Sequence, residues 1–443
     1  MPQLMGVSAM ANHIEKVYSE FLRETFYYVK HQSGLKIVFV PKDFTSYYAM
    51  LGVNYGSVDS SFRYDEESSF KKVPDGIAHY LEHKMFENED GTDAFAAFSK
   101  LGANANAFTT NNLTAYLFSC TSNFEENLAA LLDFVRKPYF TEENVEKERG
   151  IISEEIEMYE DDPYSALHYG MLGLLYHDHS IKINVAGTVD SVSEITPEHL
   201  YRCYNAFYRL ENMVLSVSGN TDIESIVSIC DRVLSKDKEC SLERAPLIEP
   251  DSVFKSRGEE YRLVSNPLFC IGVKDIVASD NKERARRTIA ASILVDALFG
   301  PSSDFFSKLY SEGKINSMSC GYDSMINYAF SYIIGECKDP EAVYDEFRGV
   351  IERALVNGLN LDDFNRIKKV SIANFVKNYD STESIANDAL YLTFDGILPH
   401  EYARLLSDVD YEYTNDLLLD FYDEKKCAMM TVFPKRKEDV NNG

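Results

Sequence analysis

The pattern of apolar and polar positions in the first half of the chain predicts strands mixed with helices. Short apolar or alternating runs predict strands at 34–40, 49–55, 105–120 and 212–219. Helical periodicity predicts helices at about 124–136, 142–160 and 223–234, and Pro74-Asp75 marks the start of an earlier helix. This order of elements is typical of an α+β unit.

The second half of the chain repeats this pattern. The apolar run around Gly272 echoes the run around Gly52, about 220 residues earlier, and 428–433 echoes the strand at 213–217. Duplication predicts an α+β fold of two homologous α/β-roll domains, each an antiparallel sheet packed with helices. We expect the domains at 1–235 and 259–443, joined by a polar linker at 236–258.

Composition narrows the class of protein. A chain of 443 residues exceeds what one hydrophobic core supports, and a net charge of −27 argues against a nucleic-acid surface. Eight scattered cysteines without a C-x-x-C pair are typical of reduced intracellular thiols. We find no signal-peptide pattern and no apolar run long enough for a membrane span, so we expect a soluble, cytoplasmic protein.

Candidate chemistry is concentrated in one pentapeptide, His79-Tyr80-Leu81-Glu82-His83. On a helix, residues four apart share a face, so the two imidazoles can hold one zinc ion. Glu82 lies beside the second histidine and can act as general base on water. This H-x-x-E-H order is that of the inverzincin metallopeptidases.

A third zinc ligand is sought in 141–160, which contains eight glutamates. At about 100° per residue, the predicted buried stripe holds Val145, Ile152, Ile156 and Tyr159. Glu148 and Glu155 fall on the edge of that stripe, whereas Glu154 and Glu157 point toward solvent. Carboxylates held against a core require a compensating cation. We therefore predict Glu155 as the third ligand and Glu148 as an auxiliary carboxylate of the catalytic group.

Several alternatives stay open. The glutamate-rich helix could instead be a solvated surface that pairs with Lys147 and Arg149. His177-Asp178-His179 fits a loop or helix end better than a metal site, and His168 fits a surface helix position. The small residues at 102–109 would let a peptide add itself to a sheet edge, or they form an ordinary buried hairpin.

Taken together, these residues resemble the M16 (insulinase, pitrilysin-like) zinc peptidases over nearly the whole chain. The resemblance rests on 76–83, 102–116, Glu148-Arg149 followed by Glu155 with Met158, 212–219 and 298–303. It implies two α/β-roll domains per chain, one Zn2+ held by His79, His83 and Glu155, and two chains that close like a clamshell. It also implies that substrate backbone binds the strand containing Asn106, Ala107, Phe108 and Thr109.

The chain departs from this family at one point. Many members carry an Arg-Tyr pair in the second domain, but the corresponding stretch Leu309–Asn316 has no arginine and its tyrosine is displaced. The chain is similar to the zinc-bearing member of bacterial pairs whose partner lacks the zinc motif. We therefore expect a homodimer or a heterodimer with an M16-like chain.

The sequence thus predicts a zinc-dependent endopeptidase that hydrolyses short or unfolded peptides. A maturation role, such as removal of a leader peptide, is one form of this prediction. The alternative is a non-catalytic scaffold or assembly subunit. Residues 1–12 are given no role.

Overall fold

The structure, a computed structural model, describes residues 12–89, 91 and 94–435, so nearly all of 1–12 lies outside the described residues. The strands are β1 (His13–Ser19), β2 (Glu24–Lys30), β3 (Lys36–Pro41), β4 (Tyr47–Val53), β5 (Ser61–Tyr64), β6 (Lys71–Lys72), β7 (Asn104–Thr109), β8 (Thr114–Cys120), β9 (Met213–Gly219), β10 (Leu242–Arg244), β11 (Arg257–Arg262), β12 (Leu268–Lys274), β13 (Ile315–Ser324), β14 (Ala329–Cys337) and β15 (Cys427–Pro434). The helices are α1 (Ile77–Lys84), α2 (Ala94–Lys100), α3 (Phe124–Phe134), α4 (Glu142–Asp161), α5 (Pro163–Leu175), α6 (Val189–Ser193), α7 (Pro197–Phe207), α8 (Ile223–Val233), α9 (Asn281–Phe299), α10 (Asp304–Ser311), α11 (Pro340–Asn357), α12 (Leu361–Asn378), α13 (Thr382–Phe394), α14 (Pro399–Asp408) and α15 (Tyr411–Phe421).

The structure contains two large sheets, and five strands of the first sheet have the same order as the five strands of the second. The first runs β1-β2-β3-β9-β4-β8-β7 and the second β11-β15-β12-β14-β13. In both sheets one pair is parallel, β3 with β9 and β11 with β15, and the other pairs are antiparallel. The last five strands of the first sheet therefore match the whole second sheet, position for position. This confirms a two-domain α+β fold in which helices pack on mainly antiparallel sheets.

Two details differ from the sequence expectation. The single strand expected over 105–120 is wrong, because β7 and β8 form an antiparallel hairpin. Its turn is closed by Thr110, whose backbone N–H donates to the Leu113 carbonyl at 2.8 Å and whose hydroxyl accepts from the Leu113 N–H at 3.2 Å. In addition, the stretch 236–258 contains β10, which pairs with β5 of the first half.

One helix of each domain packs on the sheet of the other domain. Helix α5 of the first half packs on β12 and β15, and helix α13 of the second half packs on β4 and β9. Two matching glycines permit the contact: a Cβ on Gly52 would lie 2.6 Å from Leu390 of α13, and a Cβ on Gly272 would lie 2.6 Å from Met171 of α5. The sequence similarity between β4 and β12 therefore lies at the positions where the exchanged helices contact the two sheets.

The core is continuous across this exchange. One cluster of buried residues joins the α13-facing side of the first sheet to α9 and the second sheet. The stretch Asn281–Ser311 contains a window long and apolar enough to cross a membrane by length and composition, but 61% of that window is buried inside the protein. All eight cysteines are free thiols.

Candidate metal centre

The histidine-bearing helix α1 is fixed at both its start and its middle. It begins after Gly76, not directly after Pro74-Asp75, and Gly76 has a φ of 89°. A Cβ at this position would lie 2.3 Å from the Ala186 carbonyl oxygen, so the close approach requires glycine. Tyr80 is buried and its hydroxyl donates to the Val145 carbonyl, which ties α1 to α4.

Helix α4 presents its glutamates largely as the predicted phase requires. Val145, Ile152 and Ile156 are buried, and Glu154 is exposed. Tyr159 is the exception to the predicted stripe: it is 37% exposed, because the last turn of α4 borders a cavity rather than the core. The Tyr159 hydroxyl donates to Glu155 Oε1 at 2.9 Å.

His79, His83 and Glu155 converge on one point. The Nε2 atoms of both histidines lie 3.7 Å from Glu155 Oε2, and the three candidate ligand atoms lie within 4.8 Å of one another. Ligands bound tetrahedrally to zinc at ordinary bond lengths are separated by roughly 3.4 Å. Two imidazole nitrogens and one carboxylate oxygen at this spacing fit a catalytic zinc ion, with one coordination position left open.

A partly buried network of charged side chains contacts the Nδ1 side of the His83 ring. Its Nδ1 lies 3.0 Å from Glu148 Oε1, and Glu148 Oε2 lies 3.7 Å from the Nζ of Lys84. The Lys84 side chain is 0% exposed and also pairs with Glu87. Although burial acts in the opposite direction, the His83 hydrogen bond and the charges of His83 and Lys84 lower the pKa of Glu148. An ionised Glu148 accepts the proton on Nδ1, which leaves Nε2 of His83 free to bind metal.

The two histidines have different electrostatic surroundings. Burial, and then the neighbouring His83 ring, lower the pKa of His79 to about 4, so this imidazole is neutral near pH 7. Burial opposes charge on His83 as well, but the Glu148 hydrogen bond and the charges of Glu82, Glu148 and Glu155 raise its pKa overall. Neutral imidazole is the form that binds metal. The surroundings of His79 favour this form, whereas those of His83 favour the protonated form.

Glu82 sits beside these groups as a separate, desolvated carboxylate. It is 7% exposed, and its Oε2 accepts a hydrogen bond from the Thr109 hydroxyl at 2.6 Å. Burial raises its pKa, with a smaller opposite effect from Thr109. A carboxylate whose pKa is raised in this way is a stronger proton acceptor than an exposed glutamate, which is what a general base requires.

The cavity in front of these groups has a volume of about 700 Å³ and is bordered by a sheet edge. Asn106, Ala107, Phe108 and Thr109 line it together with His79, Glu82, His83 and Glu155. They belong to β7, the last strand of the seven-stranded sheet, which pairs only with β8 within that sheet. The edge of β7 that faces away from β8 is therefore a place where a peptide can add itself as a further strand, and there the Ala107 N–H donates to Asn106 Oδ1 at 2.9 Å.

The other candidates do not join this group. His177 and His179 direct Nε2 to the carbonyls of Ser252 and Asn327, each at 3.2 Å. Arg149 pairs with Glu146 rather than with Glu148 or Glu155. Within the described residues, His79, His83 and Glu155 are the one group with metal-ligand spacing.

Two supporting residues were missed from sequence. Tyr159 was assigned to the core, although its position four residues after Glu155 places both side chains on one helix face. Lys84, directly after His83, was given no role.

The stretch Leu309–Asn316 contributes nothing to the cavity lining. Tyr310 is 59% exposed and stacks on Phe306, and Asn316 donates to Glu336 at 2.6 Å.

Comparison with known proteins fixes the family. The insulinase family (peptidase family M16) matches residues 68–188, and the peptidase M16 inactive domain matches residues 194–371. The chain is 36% identical to the zinc protease YmfH of Bacillus subtilis (strain 168), over 95% of this chain and 100% of that protein. The chain belongs to peptidase family M16.

Solved structures of M16-like proteins have the same fold. An M16-like peptidase from Alicyclobacillus acidocaldarius superposes with a TM-score of 0.88 at 30% identity, covering 96% of this chain and 99% of that one. A protease from Helicobacter pylori has a TM-score of 0.77 at 18% identity, covering 96% of this chain and 100% of that one, which is a likeness of fold. The alternative of a non-catalytic scaffold is not favoured for an M16 chain whose candidate ligands converge.

Proposed function

We propose that this M16 protein is a zinc-dependent endopeptidase. The observation that carries the proposal is the position of the unpaired edge of β7 beside Glu82 and the His79, His83 and Glu155 group. A peptide paired with β7 would have its backbone fixed across the candidate metal centre. Edge-strand pairing recognises backbone, so it leaves the choice of sequence to the surrounding cavity.

Each residue then has a defined role. His79, His83 and Glu155 hold zinc, and Glu148 and Tyr159 orient His83 and Glu155. Zinc, when bound, supplies a Lewis acid that polarises the scissile carbonyl and lowers the pKa of water. Glu82 accepts the proton from the attacking water and passes it to the leaving amine. Thr109 fixes the carboxylate of Glu82 in position for both transfers.

The substrates we propose are short or unfolded peptides, because a folded protein has few free strands to offer the edge of β7. Removal of a leader from a precursor peptide is a specific form of this activity. Eight free thiols support a cytoplasmic location for it.

The proposal includes a second M16-like chain as partner. Leu309–Asn316 lacks arginine and its exposed Tyr310 lies outside the cavity, so a partner would supply the missing substrate contacts. Affinity purification of the tagged chain from its own cells tests this. We expect to recover a dimer, either of two copies of this chain or with a homologous chain that lacks the H-x-x-E-H motif; recovery of this chain as a monomer would contradict the proposal.

Substitution of Glu82 tests the activity itself. Glu82→Gln should retain zinc, measured by metal analysis, and lose hydrolysis of internal peptide bonds by roughly 10²- to 10⁴-fold, the usual contribution of a general base. Glu66→Gln, a substitution of an exposed glutamate, serves as control and should hydrolyse peptides like the wild type. Full hydrolysis by a zinc-loaded Glu82→Gln protein would rule out this mechanism.

A further inference from the structure

A second cavity, of about 460 Å³, lies between α5 and the edge of the second sheet. Its walls include His168 and Met171 from α5, Asp323 from β13, and Phe330 and Tyr332 from β14. It is therefore formed by both domains. A cavity of this size accommodates a long side chain.

The strand register directs Asp323 and the aromatic rings to the same side of the sheet. Asp323 lies opposite Phe330, and Gly321, two residues earlier, lies opposite Tyr332. Residues two apart in a strand share a face, so this side of β13 and β14 is the side that α5 covers. A Cβ on Gly321 would lie 2.6 Å from the Tyr332 hydroxyl, so the glycine lets the tyrosine ring lie across β13.

Asp323 is a partly buried carboxylate without a compensating cation among the described residues. Among the residues that the structure describes, no ion pair involves it, whereas nearby Asp275 is held by Arg287 at 2.6 Å. Burial raises the pKa of Asp323 to about 6, and a hydrogen bond from the Ser324 backbone lowers it by a smaller amount. Such a group is destabilised by desolvation, and a cation that enters the cavity would offset that loss.

The cavity and the catalytic cleft share one lining residue. His168 lines both cavities. Phe108 of β7 stacks on Tyr391 of α13 at 6.5 Å, and the charge of Asp323, after burial, helps to raise the pKa of Tyr391. His168 therefore marks the place where a peptide held on β7 would extend a side chain toward the second cavity.

We propose that this cavity binds a lysine or arginine side chain of the substrate peptide, with Asp323 as counter-charge and Phe330 and Tyr332 as aromatic walls. The inference rests on the peptidase function proposed above. Aromatic rings and a carboxylate together favour a cation over a neutral group of the same length. The net charge of −27 favours approach of the same class of peptide.

Binding is measured separately from hydrolysis. In the Glu82→Gln protein, fluorescence anisotropy compares N-acetylated peptides that differ only by lysine or norleucine at one position, scanned through the peptide. At one position we expect the lysine peptide to bind roughly tenfold tighter, the usual effect of a charge-assisted contact. Asp323→Asn in this background should abolish the difference. Asp345→Asn, a control on the exposed face of α11, should keep it.

The outcomes separate the two proposals. Equal affinity of lysine and norleucine peptides at every position, or a preference that survives Asp323→Asn, overturns the cation site. Tight binding of a norleucine peptide with a free N-terminal amine, equal to that of the lysine peptide, would assign the cavity to the amine and also overturn it. Charge-selective binding that depends on Asp323, without hydrolysis of any peptide by the wild type, would leave the site standing and refute the peptidase function.

Discussion

His179 gives the junction between the two domains a defined pH dependence. It is 1% exposed, its Nδ1 accepts from the Ile181 N–H at 3.0 Å, and its Nε2 donates to the Asn327 carbonyl at 3.2 Å. Both ring nitrogens are thus used in the neutral form, because a second proton would sit on Nδ1 against the Ile181 N–H. Burial is the main cause that lowers the pKa of His179 from 6.5 to about 4.

The lowered pKa of His179 sets both the size and the sign of the change in folding stability with pH. In the unfolded chain His179 takes up a proton as pH falls below about 6.5, whereas the folded protein resists until about 4, so stability falls with pH in that window. The full change corresponds to roughly 3 kcal/mol. At pH 5 the loss relative to pH 8 is about 2 kcal/mol, which is a large share of a typical folding free energy.

Urea unfolding of metal-free wild type and His179→Asn, followed from pH 8 to pH 5, measures this loss. Asparagine keeps an acceptor near Ile181 but does not titrate. We expect the variant to be less stable at pH 8 and the gap between the proteins to narrow by about 2 kcal/mol at pH 5. His13→Asn, on the exposed side of β1, should parallel the wild type. Parallel curves for wild type and His179→Asn would refute the reasoning.

Three further predictions concern the metal centre and the second domain. Glu155→Gln should lower zinc content at equal protein and zinc concentrations, whereas Glu154→Gln, one residue away on the exposed side, should match the wild type. Glu148→Gln should weaken zinc binding by roughly 10- to 100-fold in a chelator competition, since it loses the acceptor for His83. Arg287→Ala should lower the free energy of unfolding by about 3–5 kcal/mol in urea, because it leaves the buried Asp275 unpaired; an effect below 1 kcal/mol would contradict this.

Local periodicity was sufficient to bring the three candidate metal ligands together. The spacing of His79 and His83 and the phase of α4 put both histidines and Glu155 on facing surfaces, as the structure has them. Phase also separated Glu148 from Glu154, because a helix twenty residues long leaves little freedom once its buried stripe is known. Tyr159 was misplaced since apolar character alone does not distinguish a core position from the wall of a cavity.

Sequence periodicity cannot predict features that depend on residues far apart in the chain. Periodicity predicts one strand over 105–120 and misses the hairpin, because the turn at Thr110 depends on a side-chain hydrogen bond within a polar stretch. The exchange of α5 and α13 left no local signal, since each helix is apolar whichever sheet it covers. Asp323 lies on an ordinary-looking strand, and its unpaired state is visible only once α5, β13 and β14 are together.

The exchanged helices have a consequence for synthesis on the ribosome. The first sheet is complete at Gly219, but the helix that covers its second face begins at Thr382. About 160 residues must be made in between, which takes roughly 10–30 s at the usual speeds of chain elongation. During that interval a sheet face rich in aliphatic and aromatic side chains is uncovered. The nascent chain therefore exposes an apolar surface that the finished protein hides, and the first half can complete its core only after the second half has been made.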